Sequence, residues 1–316
     1  RAHPDWVLSV PGRRKSLGRS QCVLDFSRQD VVDNIYEQMA TILASGKVSY
    51  VKWDMNRSIT ECWSHALPAA RQGEVFHRYI LGLYDLYERL TTAFPHVLFE
   101  SCASGGNRFE PGMLYYAPQA WTSDNSDAVE RQKIQYGTSM CYPLSSMGSH
   151  VSVVPNHQVN RVTPLHTRAN TAYFGTFGYE LDLGKLSAEE IAEVKDEIAF
   201  MKEYREIFQF GTFYRLQSPF EHNVMAWMCV SGDQKTAIVG WYRTLNRVND
   251  RFARVRLAGL LPDTLYEDSR SGARCYGDEL MHYGLITTDG TTGEPHPEDG
   301  LTTDFDSRLY VLNAVE

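Results

Sequence analysis

No surplus of positive charge is present: 31 Lys and Arg stand against 39 Asp and Glu, for a formal net charge of −8 over 316 residues. That sign excludes electrostatic steering toward a nucleic-acid backbone or an anionic membrane, and favours a neutral or cationic small partner. No apolar run reaches the roughly 18 uncharged residues a membrane-spanning helix needs, because Arg, Lys or Asp interrupts the longest stretches, so a soluble chain is expected. The six cysteines, at 22, 62, 102, 141, 229 and 275, have no C-x-x-C spacing. They are read as reduced thiols in a chain too long to need disulfide staples. A P-loop, a G-x-S-x-G elbow and a G-x-G-x-x-G fingerprint are all missing, and His150, His157 and His166 lack the i, i+4 spacing of a helical zinc site. Neither a metal nor a cofactor is expected. The chain opens on Arg1 without a signal-peptide pattern, and its native start is expected to lie elsewhere.

What is present is 43% hydrophobic and 22% charged residues, enough to bury a large core. From residue 22 to about 186, short apolar runs alternate with helical patterns, the mark of βα units around a parallel sheet. Cys22 to Phe26 reads as extended. Ser27 then caps a helix carrying Val31, Val32, Ile35, Met39, Ile42 and Leu43, which Gly46 ends. Val48 to Asp54 reads as a strand, and a helix marked by Phe76 to Leu90 stops at Pro95. Val97 to Cys102 and Gln119 to Asp124 are further strands, followed by a helix from Ala128. A strand near His150 to Val154, a helix from Pro164 to about Phe174 and a strand at Tyr179 to Leu183 complete the pattern. Ser187 and Glu190 form a capping box for a helix running to about Arg205. Beyond it the pattern turns to β: Val224 to Val230, Thr236 to Tyr242, Phe252 to Leu257 and Leu309 to Leu312, with Thr287 to Gly300 as a long loop.

Chemistry concentrates in Tyr50-Val-Lys-Trp-Asp-Met-Asn56. In a strand, Lys52, Asp54 and Asn56 share one face, and polar residues at the C-terminal end of a barrel strand are costly unless they bind something. A lysine on that face favours the charged form of a neighbouring carboxylate, as a nucleophile requires; the alternative is an ion pair that satisfies only itself. In Trp121-Thr-Ser-Asp-Asn-Ser-Asp127, Asp127 starts a capping-box pattern with Glu130, which leaves Asp124 as the candidate catalytic acid at the strand end. Paired carboxylates at strand ends are the equipment of glycoside hydrolysis. Between them lies Glu100-Ser-Cys-Ala-Ser-Gly-Gly106, whose glycines let backbone approach a ligand closely. Cys102 has no identifiable histidine partner and reads as pocket lining, not as a nucleophile. Trp53, Trp63 and Trp121 are candidates for stacking on a sugar, against their commoner role in a core.

These three ordered segments, 52–57, 100–106 and 121–127, resemble the bacterial α-galactosidases of glycoside hydrolase family 36, and the similarity extends from about His3 to about Leu183. The chain departs from the family pattern at Asn107, usually Gly, and at Glu110, usually Asp. The resemblance implies a partial (β/α)8 TIM barrel, about its last five strands, over 1–205, followed by a C-terminal antiparallel β-sandwich domain over 206–316. It implies a retaining double displacement on terminal α-galactosides of the melibiose and raffinose type, with Asp54 as nucleophile and Asp124 as acid/base. Arg19, Lys52, Asn56, Cys102, Gly105 and Trp121 match galactose-pocket positions. Retention sets the two carboxyl groups about 5–5.5 Å apart. The family further implies no cofactor, a cytoplasmic homo-oligomer, often a tetramer, and a large N-terminal β domain with the first barrel strands. The chain is therefore expected to be a C-terminal fragment, inactive and poorly soluble alone. The alternatives are a raffinose-type galactosyltransferase and a non-catalytic carbohydrate-binding remnant.

Overall fold

The computed structural model describes residues 2–246, 253–287 and 304–315. The chain divides into two compact units, Arg1–Asp124 and Asn125–Glu316.

In the first unit, helix α1 (Gln29–Leu43) precedes strand β1 (Tyr50–Asp54), α2 (Val75–Ala93) precedes β2 (Leu98–Cys102), and the short α3 (Pro111–Tyr116) leads to β3 (Gln119–Trp121). The strands are parallel, in the order β1-β2-β3, with Lys52 opposite Glu100 and Asp54 opposite Cys102. This is the register that βα repetition produces, since parallel neighbours need a crossover connection. The core forms where the apolar stripes of the two long helices meet the outward face of the strands: Val31 and Val32 of α1, Leu83, Leu86 and Leu90 of α2, and Phe99 of β2 are all almost completely buried. Gly82 permits the close approach, because a Cβ there would lie 1.8 Å from the carbonyl oxygen of Phe26.

Local signals place most element ends. Gly46 (φ 69°) donates its N–H to Leu43 O at 3.0 Å and closes α1. At the other end of α1 the expectation fails: Arg28 occupies the N-cap position, while the Ser27 hydroxyl donates to Asp25 Oδ1 at 2.5 Å. The buried Asp25 competes successfully for Ser27, and is satisfied further by Ser64. The run from Cys22 to Phe26 contributes only an isolated bridge, Val7 to Leu24. Glu110, where the family pattern has Asp, caps α3 by accepting from Gly112 N at 2.7 Å and Met113 N at 2.6 Å.

The second unit begins with α4 (Ala128–Thr138), capped by Asp127, whose side chain accepts from Glu130 N at 3.0 Å. The parallel pair β4 (Met147–Ser152) and β5 (Thr176–Glu180) flanks α5 (Leu165–Ala172), and α6 (Ala188–Phe210) carries the Ser187–Glu190 capping box. An antiparallel six-stranded sheet follows: β6 (Thr212–Gln217), β7 (Val224–Val230), β8 (Thr236–Arg243), β10 (Leu265–Asp268), β11 (Arg274–Tyr276) and β13 (Asp306–Ala314). Its order is β11-β10-β13-β8-β7-β6. A two-stranded sheet of β9 (Arg254–Val255) and β12 (Leu285–Ile286), with the short α7 (Gly277–His282), completes the β region. Strand β7 reads as an unbroken apolar run because both of its faces are covered. Ala226, Met228 and Val230 join Val255, Leu257 and Leu280 in one core, while Trp227 packs on Phe174 and Phe213 on the other side. Only Arg254–Val255 of the expected strand from Phe252 to Leu257 is regular; Phe252 and most of the expected loop from Thr287 to Gly300 lie outside the described residues. The five parallel strands with their helices, three in the first unit and two in the second, followed by antiparallel β structure, bear out a partial (β/α)8 barrel with a C-terminal β domain.

Candidate active site

Strand β1 alternates in burial, with Val51 and Trp53 partly buried and Lys52 and Asp54 exposed. Trp53 turns to the helices and packs 4.8 Å from the Tyr87 ring at the edge of the core. On the other face, Asp54 ends the strand and the chain turns. Asn56 folds back so that its Nδ2 donates to Asp54 Oδ2 at 2.5 Å. The Asn56 amide oxygen accepts from Ser104 N at 2.8 Å, and the Ser104 hydroxyl donates to the Asn56 carbonyl at 3.2 Å. One asparagine thus fixes the Asp54 carboxylate and ties the end of β1 to the turn after β2.

That turn carries the approach to Asp124. Ser104 (φ 51°) and Gly105 (φ 79°) both occupy the left-handed region. A Cβ on Gly105 would sit 2.7 Å from Ser123 Cα and 3.2 Å from Asp124 N, so only glycine allows the turn to lie against the end of β3. Gly106 N donates to Thr122 O at 3.1 Å and locks the contact. Asp54 faces Cys102 across the sheet, and Met55 N donates to Cys102 O at 2.8 Å. Burial, with the Asp54 carboxylate adding to it, pushes the Cys102 thiol up to about 11. Cys102 is therefore a neutral thiol at ordinary pH, as its reading as pocket lining requires.

Lys52 departs from the expectation that it serves Asp54. Its Nζ lies 3.3 Å from Glu100 Oε1, and 4.7 Å from the centroid of the buried Trp121 ring. Glu100 is 2% exposed and also accepts from the Tyr50 hydroxyl. Burial and the Glu100 carboxylate both raise the Tyr50 pKa, which keeps the phenol a donor. No motif in the sequence marks Glu100 or Tyr50; the signal that finds them is the parallel register that sets Lys52 opposite Glu100.

Beside these groups lies an open cavity of about 440 Å³, within the range of small-molecule sites. Lys52, Asp54, Asn56, Gln21 and Arg108 line it together with apolar side chains, among them Met39, Val51, Trp53 and Met55. Arg108 donates to the carbonyls of Met55 and Arg57, and Arg57 reaches the carbonyls of Ser16 and Gln21, so two arginines brace the loop after β1. The structure thus brings Lys52, Asp54, Asn56, Cys102, Gly105 and Trp121 together, with the backbone of Asp124 against Gly105. Arg19 (φ 51°) is exposed in the turn just before Gln21 and does not itself line the cavity. Among the described residues, no group of three or more His, Cys, Asp and Glu could hold a metal ion.

Parallel strands that present carboxylates, an amide and a lysine at their C-terminal ends, beside an open cavity, are the arrangement of the βα-barrel glycosidases. The chain belongs to the melibiase family of glycoside hydrolase family 36: the melibiase model matches residues 1–211 and the family 36 C-terminal domain model residues 224–312. It is 52% identical over all of its residues to α-galactosidase AgaA of Geobacillus stearothermophilus, and 49% identical over 90% of them to α-galactosidase 1 of Pediococcus pentosaceus. The solved structure of AgaA superposes with a TM-score of 0.93 over 99% of the chain. That of a Lactobacillus brevis α-galactosidase, 48% identical, superposes with a TM-score of 0.94 over 100%. The chain spans about two fifths of these relatives, 42% of AgaA and 39% of the Pediococcus enzyme. No helix among the described residues is long and apolar enough to cross a membrane.

Proposed function

We propose that the protein carrying this chain is a retaining α-galactosidase that removes terminal galactose from α-galactosides of the melibiose and raffinose type. The observation that carries this reading is the Asp54 carboxylate, held by Asn56 at the C-terminal end of β1 and joined through the Ser104–Gly105 turn to the strand end bearing Asp124. Asp54 attacks the anomeric carbon as the glycosidic C–O bond breaks, and Asp124 gives its proton to the departing oxygen. Water then attacks the same carbon, Asp124 takes its proton, and galactose leaves with its configuration retained. Lys52, Asn56, Cys102, Gly105 and Trp121 shape the galactose pocket, and Arg19 is assigned to it by the family pattern alone.

Two facts support these roles. Variants of AgaA have been solved with raffinose and with stachyose, and the aspartates replaced in those two variants stand seventy positions apart, as Asp54 and Asp124 do. The two family models meet between residues 211 and 224, which supports a catalytic portion over 1–205 and a separate β domain after it. A cytoplasmic homo-oligomer belongs to the same proposal and rests on the family alone.

The test is trapping with a 5-fluoro-galactosyl fluoride, which forms the glycosyl-enzyme faster than it is hydrolysed. Mass spectrometry should find the sugar on the peptide containing Asp54, and the Asp54→Ala variant should carry none. Sugar trapped on that variant, or on another residue, refutes the assignment.

A further inference from the structure

We propose that Arg57 is a positioning residue for the substrate: it clamps the strained turn from Gly18 to Gln21 against the loop that leaves β1, and so fixes the rim of the cavity beside Asp54. The inference deepens the proposed function and rests on it. It begins with backbone strain. Arg19 (φ 51°) and Ser20 (φ 60°) both stand in the left-handed region, and Gln21 N donates to Gly18 O at 2.9 Å across them. Two successive positive φ angles are those of a type I′ turn, whose central residues are ordinarily Asn, Asp or Gly. An arginine and a serine stay there only where the surroundings impose it. Packing does not, because Leu17 is 59% exposed and Arg19, Ser20 and Gln21 are exposed as well.

Arg57 supplies the constraint. Its side chain is 12% exposed, and its fork of donors reaches both flanks of the turn: Nε donates to Gln21 O at 3.3 Å, and Nη2 donates to Ser16 O and, at 2.9 Å, to Thr60 Oγ1. Gly18 leaves room for it, since a Cβ there would lie 3.0 Å from Arg57 Cδ. Glu61 completes the clamp from the same loop, accepting from Ser16 N at 3.1 Å and from Thr60 Oγ1 at 2.6 Å. The clamp is tied in turn to the strand ends, because the Arg57 carbonyl accepts from Arg108 Nη2 at 3.4 Å and the adjacent Asn56 holds the Asp54 carboxylate. Gln21 lines the cavity, while Arg19, at the tip, makes no hydrogen bond or ion pair with the described residues. The place of the turn therefore decides where that guanidinium reaches, and its N–H groups are donors for sugar hydroxyls.

The test titrates the whole protein with galactose by calorimetry, which needs no turnover. Arg57→Met and Arg19→Met should each weaken galactose binding about tenfold, and the double variant no further than the worse single one, because Arg57 acts through the turn that carries Arg19. With raffinose the loss should fall on KM, with kcat kept to within about twofold, since a rim residue serves ground and transition states alike. Arg57→Lys keeps the stem and the charge but cannot fork to both flanks of the turn, so it should still lose about threefold. If Arg57→Met melts early, Arg57→Lys decides alone. Parent-like affinity in Arg57→Lys, losses that multiply to about a hundredfold in the double variant, or a loss confined to kcat overturns the proposal. A parent that binds no galactose overturns the proposed function along with it, whereas sugar trapped away from Asp54 overturns the nucleophile and leaves the clamp standing.

Discussion

Replacing Glu100 by Gln removes one charge from the Lys52–Glu100 pair and keeps the shape and the acceptor that Tyr50 uses. At 3.3 Å the bare attraction is about 5 kcal/mol for an effective dielectric of ~20. The Lys52 side chain is 37% exposed, so solvent screens the pair, and the net worth falls to about 1–2 kcal/mol. The larger penalty for orphaning a buried charge does not apply, because the buried member is the one removed and the remaining ammonium can turn to water. What changes is position: Lys52 loses the group that holds it over Trp121 and beside Asp54. We expect kcat/KM on raffinose to fall about tenfold in Glu100→Gln, equal to ~1.4 kcal/mol of transition-state stabilisation. The decisive assay is a double-mutant cycle with Lys52→Met. If Glu100 acts only through Lys52, the double variant is no worse than Lys52→Met alone, which leaves a coupling equal to the whole Glu100→Gln effect, ~1.4 kcal/mol. Effects that add to within ~0.5 kcal/mol would refute the positioning argument.

Gly105→Ala combines a left-handed backbone with a Cβ 2.7 Å from Ser123 Cα, so it should cost at least about 2 kcal/mol in urea unfolding and reduce activity more than fivefold; wild-type stability would show that the turn is not required. Cys102, buried and with its pKa raised to about 11, should resist iodoacetamide at pH 8 while the exposed Cys22 and Cys141 react, as peptide mass spectrometry would show; equal labelling would contradict its environment. Burial pushes the Glu197 carboxyl in α6 up from 4.5 to about 7. The folded protein then keeps a proton that the unfolded chain has lost, so stability falls as pH rises from about 4.5 to 7, by up to ~3 kcal/mol. Glu197→Gln, which still offers an acceptor to the Tyr179 hydroxyl, should become more stable than the parent as pH rises through that window; a constant difference across it would rule this out.

The elements that could be read from the chain are those whose cause is local. The Ser187–Glu190 box, the Asp127 cap and the apolar run of β7 each carry their signal within a few residues, and each is found where expected. Strands β10 and β11 and helices α3 and α7 span three to six residues, too few to establish a period, and went unread although Glu110-Pro111 is a helix start. The site shows the same division. The alternation of Lys52, Asp54 and Asn56 is intrinsic to a strand and holds. The partner of Lys52 is not intrinsic, and geometry explains why Glu100 wins over Asp54. Residues i and i+2 on one strand lie about 6.6 Å apart, whereas paired residues on neighbouring strands are separated by ~4.8 Å. A lysine inside a parallel sheet therefore meets the opposite residue before its neighbour along the chain, and Glu100 is opposite. Asp54 escapes this arithmetic because the strand ends there: the turn brings Asn56 to its carboxylate, while across the sheet it meets only a neutral thiol. The carboxylate of Asp54, the proposed nucleophile, is thus oriented by the amide of Asn56, while Lys52 is held by Glu100.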